Sequence, residues 1–254
     1  MSQFSLSLAA LDVVLEHTGL GRAPTPFETP HIGATFEERA QLRAAVFRDL
    51  ESRRLAGRGR LDPDVELALR AFVQAPVSII AVAELDDGEQ LFARAVADGN
   101  YGMVARRQDN LVVFTEVRPT AIVAGIVDLL PATPAAPGQS VTVAKPAPKP
   151  KRQADDAYDP FAAAARPRTS TAPAQLRMVE RIFQKPKLRI GQFTAFVTGG
   201  DGKGRRLSPT AWFDTEEGRY FVTSREAEDG QNWLTYAPAD NARIAHHLHE
   251  QLRG

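Results

Sequence analysis

The feature that most restricts the fold of this chain is an order of segments that occurs twice. From residue 62, DPDVELALRAFVQ has the apolar spacing of a helix. VSIIAVAEL, EQLFARAVA, YGMVARR and LVVFTEV follow as strand-like runs, and PTAIVAGIVDLL returns to helical spacing. From residue 173 the order recurs: helical PAQLRMVERIFQ, strand-like KLRIGQFTAFV, RRLSPTAWF, GRYFVTS and NWLTYA, then helical PADNARIAHHLHEQL. Asn110 aligns with Asn232 and Pro119 with Pro238, offset by 122 and 119 residues. The joints LDDGEQ, ADGNY, GGDGKG, TEEGRY and EDGQN each set an acid or amide beside glycine, which supplies the positive φ of tight hairpins. Connections this short exclude the crossover of about a dozen residues that a parallel pair requires. The expected fold is α+β, in two pseudo-symmetric halves with pseudo-twofold symmetry, each a mostly antiparallel β-meander flanked by helices.

Helix starts in the first half are marked. Thr35 and Glu38 have the T-x-x-E spacing of a capping box, with Leu42, Val46, Phe47 and Leu50 as the apolar stripe that follows. Asp62 is an N-cap with Pro63 at the first helical position, ahead of a stripe of Val65, Leu69, Phe72 and Val73. Between the halves, residues 131 to 173 hold nine of the 18 prolines and few large apolar side chains. Such a segment buries too little to offset its ordering entropy. The expected division is therefore 1–130, a disordered linker 131–172, and 173–254. The basic run PKPKR within the linker reads as part of a solvated tether.

Composition removes several function classes. Lysine plus arginine and aspartate plus glutamate both number 31, so no global charge favours nucleic acid or an anionic membrane. The absence of cysteine removes thiol nucleophiles, disulfides and cysteine metal sites, and suits a reducing compartment. The opening MSQFSLSLAALDVVLEH has acids where a signal peptide would be apolar. No window approaches the roughly 18 apolar residues of a membrane helix. The expectation is a cytoplasmic chain. Of its basic residues six are lysines, which leaves 25 arginines and suggests a GC-rich genome.

Each candidate for chemistry has a plainer reading. A helix would bring His246, His249 and Glu250 to one side, as metal ligands require. Their place in the last turns of the final helix instead suits the negative end of its dipole, with Leu248 and Leu252 as core stripe. TGGDGKGRR resembles a phosphate cradle, yet Gly204 follows Lys203 and Val197 stands where a P-loop has glycine, so a hairpin is expected. In WFDTEEGRYF, Asp214 and Glu216 have the spacing of a carboxylate pair for a hydrolase. The alternative is a type I turn over Thr215 to Gly218, with Trp212, Phe213, Tyr220 and Phe221 pairing across the arms. In that reading Arg219 reaches Asp214 across the hairpin, an ion pair contributing ~0.2–1 kcal/mol if exposed.

FDTEEGRYFVT, followed by W-x-x-Y-x-P-A-D over Trp233 to Asp240 and a terminal helix, resembles the C-terminal signature of the EspG family. LDVVLEHTGLG, HIGATFEERAQL and RLDPDVELALR are similar to that family's opening, so the resemblance spans the chain apart from the linker. It implies a quasi-twofold α+β fold and the role of a cytosolic chaperone of actinobacterial type VII (ESX) secretion. Such a chaperone binds the PPE member of PE/PPE heterodimers at its apolar helical tip, keeps the substrate soluble and directs it to export, with no catalysis. It also implies no cofactor, metal, small-molecule ligand, nucleic acid or membrane partner. Client contact in that family falls to sheet and C-terminal helices and does not transfer residue by residue. The candidates placed on such elements here are Met178, Ile182, Phe196, Leu248 and Leu252, with core packing as the alternative role of each. The readings it displaces are a regulatory protein-binding module reached through the basic run, and a hydrolase using Asp214 and Glu216.

Overall fold

The computed structural model describes residues 3–144, 173–227 and 231–254. In chain order the first elements are β1 (Gln3–Ser7), α1 (Leu8–His17), α2 (Phe36–Ser52), β2 (Ala56–Gly57), β3 (Arg60–Leu61), α3 (Pro63–Gln74), β4 (Val77–Glu84), β5 (Gln90–Asp98), β6 (Tyr101–Gln108), β7 (Leu111–Val117) and α4 (Ile122–Val127). They are followed by β8 (Val141–Ala144), α5 (Pro173–Gln184), β9 (Arg189–Thr198), β10 (Gly204–Arg206), β11 (Thr210–Thr215), β12 (Gly218–Glu226), β13 (Asn232–Pro238) and α6 (Asn241–Arg253). The contacts divide the described residues into two compact units. Unit 1 comprises 3–81, 91–129 and 196–205, and unit 2 the remainder.

In unit 1 the strand order is β1-β7-β6-β5-β4. The pairs β1/β7, β6/β7 and β5/β6 are antiparallel. Register puts Phe4, Leu6, Val96, Met103, Ala105, Val112 and Phe114 on one face, where they join α1, α2 and α3 in a single core. Phe114 stacks on Phe4 at 4.7 Å and meets Phe72 of α3 edge-on at 5.2 Å, so aromatic contacts tie the edge strand to the helix layer. Thr35 and Glu38 form the expected capping box, and Asp62 caps α3 ahead of Pro63. Arg94 donates Nε to the Phe72 carbonyl near the C-terminus of α3, and burial lowers its pKa to about 10.

Unit 2 repeats the plan, with strand order β9-β11-β12-β13-β8. α5 covers the face of Phe213, Tyr220, Val222, Leu234 and Tyr236, with Val179 and Ile182 buried against it. Phe183 meets Tyr236 edge-on at 5.4 Å. Lys187 closes α5 by donating Nζ to the carbonyls of Ile182, Phe183 and Lys185, and it lies over the rings of Phe183 and Phe213.

Three expectations need correction. The first concerns the linker boundary: residues 131–144 belong to unit 2, because β8 pairs with β13 and Arg219 N–H donates to Pro134 O while Ala136 N–H donates to Arg219 O. Prolines tolerate this edge position because they are asked only for carbonyl acceptors, and VTV supplies the alternation of an edge strand. Residues 145–172, with the basic run, lie outside the described residues. Second, RRLSPTAWF is two strands, broken at 207–209, where Pro209 has no N–H to donate. Third, unit boundaries do not follow sequence order, since 82–90 group with unit 2 and 196–205 with unit 1.

Candidate functional site

The acid-rich hairpin resolves into two environments. Asp214 and Arg219 pair in register across β11 and β12, and both are buried, at 1% and 0% exposure. Arg219 donates Nε to Asp214 Oδ1 at 2.6 Å and Nη2 to Oδ2 at 2.9 Å, a bidentate fork. Asp214 Oδ2 also accepts from Arg189 Nη1 at 3.2 Å and Thr133 Oγ1 at 3.1 Å. Arg219 further donates to Pro131 O at 3.0 Å and to Asn241 Oδ1. Its guanidinium lies 4.6 Å from the Trp212 ring centroid, and that ring occupies the space a Cβ would need at Gly191.

The expected Asp214–Arg219 pair forms across the hairpin and is buried, so the small energy of an exposed pair does not apply to it. Each charge is satisfied by several partners, the condition under which a buried pair is tolerated. Glu216 stands exposed at the hairpin tip, and Glu217 pairs with Lys185. One carboxylate thus points into a closed network and the other into solvent, so the two do not share a cleft. The turn itself is as read: Thr215 pairs with Gly218, and the Thr215 hydroxyl accepts from Glu217 N–H and donates to Gly218 O. Gly218 has φ 125°, and a Cβ there would lie 2.7 Å from Pro134 O, so the segment 134–136 fixes glycine at this position. A cavity lined by Ala132, Thr133, Pro134, Asp240, Asn241 and Ala242 abuts the network. The carboxylate in its lining, Asp240, serves as the N-cap of α6.

The histidine-rich helix divides similarly. His246 pairs with Glu250 one turn on, and both are exposed. His247 packs edge-on against Phe221 at 5.5 Å, and burial lowers its pKa from the ordinary 6.5. Among the described residues no group of three or more His, Asp or Glu side chains is placed to hold a metal. GGDGKG is a hairpin in which Gly199 N–H donates to Lys203 O.

The five residues expected to touch a partner are not brought together. Ile182 and Leu248 are core. Met178 is 41% exposed on α5, which covers the Phe213 face of unit 2. Leu252 is half-buried on α6, whose His247 packs on the neighbouring Phe221 and so on the opposite face. Phe196 is half-buried where the chain passes into unit 1.

The α6 face of unit 2 has a feature the sequence reading missed. Register places Thr223, Thr235 and Thr142 in one row, and Arg225, Trp233 and Ala144 in the next. Both rows lie on the α6 side, since residues 221, 223 and 225 alternate to one face. Thr142, Arg225 and Trp233 are exposed, Trp233 at 39%, and the Thr142 and Thr235 hydroxyls hydrogen-bond at 2.9 Å. The result is a strip of open sheet beside a helix, with an aromatic anchor and polar rungs. Its sequence signal was an aromatic at an outward position of a strand, Trp233 in QNWLTYA.

The fold defines an α+β protein of two β-meander units, each faced by helices. The chain belongs to the EspG family, whose model matches residues 7–250. Its fold is similar to that of the Mycobacterium tuberculosis type VII secretion system chaperone EspG5, solved in complex with a PE25–PPE41 dimer. The TM-score is 0.69 at 11% identity, over 99% of this chain and 96% of that one. No match is found among curated proteins.

Proposed function

We propose that this protein is a cytoplasmic chaperone of type VII (ESX) secretion. It binds the helical tip of the PPE subunit in a PE/PPE substrate, keeps the pair soluble and directs it to export, without catalysis. The observation that carries this reading is membership of the EspG family across residues 7–250. It is supported by likeness of fold to a chaperone solved with a PE–PPE dimer. The commitment of both Asp214 oxygens to arginines and Thr133 supports the non-catalytic part. Among the described residues no helix is long and apolar enough to cross a membrane, which accords with a cytoplasmic site of action.

Client contact is proposed on the α6 face of unit 2, with Trp233 as anchor and Leu252 at its margin. Tryptophan is among the residue types most enriched at interface hot spots, and an apolar helical tip can dock in a groove between helix and sheet. Met178 is a second contact candidate on the opposite face, while Ile182 and Leu248 support their helices from beneath and Phe196 stands apart. Co-expression tests the reading. A PE/PPE pair encoded near this gene should move from the insoluble to the soluble fraction when the chain is present and co-purify with it. Failure with every such pair contradicts the proposal.

A further inference from the structure

The β2–β3 hairpin of unit 1 carries RRLAGRGR over residues 53–60, four arginines in eight residues of a chain whose charges sum to zero. Arg53 is engaged, with Nη1 3.2 Å from Asp49 and Nη2 donating to Ser5 O. Arg54, Arg58 and Arg60 are exposed and make no ion pair among the described residues. The backbone is less permissive than the sequence suggests. Arg54 has φ 60° just past the end of α2, where Leu55 N–H returns to Leu50 O, the closing bond of a helix stop that ordinarily takes glycine. Arg58 and Gly59, between the paired Gly57 and Arg60, have φ 53° and 72°, the hairpin turn for which Asn-Gly is the ordinary choice. Glu51 Oε1 holds the turn by accepting from Gly59 N–H at 2.9 Å. Two arginines thus occupy left-handed positions where glycine or asparagine would fit with less strain, and such residues concentrate where function requires them.

We infer that this hairpin is a docking point for a short acidic segment of a protein partner, separate from the proposed client face. Guanidinium forks match carboxylates bidentately, as Arg219 and Asp214 illustrate in unit 2. The local charge pattern favours a short segment over an extended polyanion. Asp49 and Glu51 precede the arginines, and Asp62, Asp64 and Glu66 follow at once. A nucleic-acid backbone or an anionic membrane plane would meet these acids together with the arginines, whereas a few carboxylates fit between them.

The test uses the full chain and a labelled octaglutamate peptide at low ionic strength, compared with the triple variant Arg54→Gly, Arg58→Asn, Arg60→Gln. Wild type should bind, and added salt should weaken binding. The variant should bind about tenfold more weakly or worse, as expected for loss of several charge-assisted contacts. Its Tm should equal or exceed that of wild type, because glycine and asparagine suit the left-handed positions. Client co-purification should be unchanged. Absent binding by wild type, unchanged affinity in the variant, or a lower variant Tm would overturn the inference. So would tighter binding to phosphatidylserine vesicles or single-stranded DNA than to octaglutamate, or loss of client from the variant.

Discussion

Arg219 is the residue on which unit 2 most visibly depends, because one side chain joins the hairpin to the carbonyl of Pro131, to Asn241 and to Asp214. Replacing it with leucine leaves Asp214 buried with a diminished set of donors. Removal of one partner of a buried pair costs about 3–5 kcal/mol. Arg219→Leu should therefore lower the unfolding free energy in urea by that amount, and a loss under about 1 kcal/mol would show the pair to be surface-like. The proximity of Asp214 and Arg219 across a turn was legible in the sequence. Their burial was not, because Thr133 and Pro131 lie more than 80 positions from their partners.

His247 gives a second test at this scale. Burial is the main cause of its lowered pKa; His246 also lowers it, and Glu250 opposes. The neutral ring is favoured in the folded state, so as pH falls through about 6.5 the unfolded chain takes up the proton first. The contribution of His247 is present above that pH and lost below it. Unfolding free energies of wild type and His247→Phe should run parallel above pH ~6.5, and wild type should fall relative to the variant below it. Parallel curves throughout would place His247 in solvent.

Among elements, the meander strands were legible because alternation and glycine-bearing joints are local signals, and β4 to β7, β9, β12 and β13 lie where those signals put them. The edge strands β1 and β8 were not. QFSLS and VTVA are too short to carry a period, and each becomes a strand by pairing with the last strand of a meander, β7 or β13. VTVA is further hidden among prolines and lysines that give its surroundings the composition of a tether. The structure assigns it a core role, with Val141 and Val143 buried beneath α5. Val143→Asp should cost at least about 3 kcal/mol of stability, since it sets an unpaired charge in that core. A thermal melt unchanged by the substitution would return residues 141–144 to the linker.

For the whole molecule, the twice-occurring order of helix, strand meander and helix conveyed the α+β class, although in unit 1 α1, α2, the β2–β3 hairpin and α3 stand between the edge strand and the meander, where the described residues of unit 2 have α5. The partner surface was less legible. Apolar helix positions such as Ile182 and Leu248 look alike in sequence whether they face a core or a client, and both face the core. Exposure of Trp233 depends on where α6 leaves the sheet uncovered, which no local pattern encodes. Trp233→Asp should thus weaken client binding by about tenfold or more, as loss of an interface anchor does, with Tm little changed. A large fall in Tm with client affinity intact would make the residue structural.

The central claim, a chaperone that holds a PE/PPE pair through its PPE subunit, is tested most directly by the mass of the purified complex in solution, measured by light scattering on a sizing column. One copy of this chain with one PE and one PPE, lost when the PPE tip is deleted, is the predicted result. A client that elutes apart from the chain, or a complex that survives deletion of the tip, would contradict it.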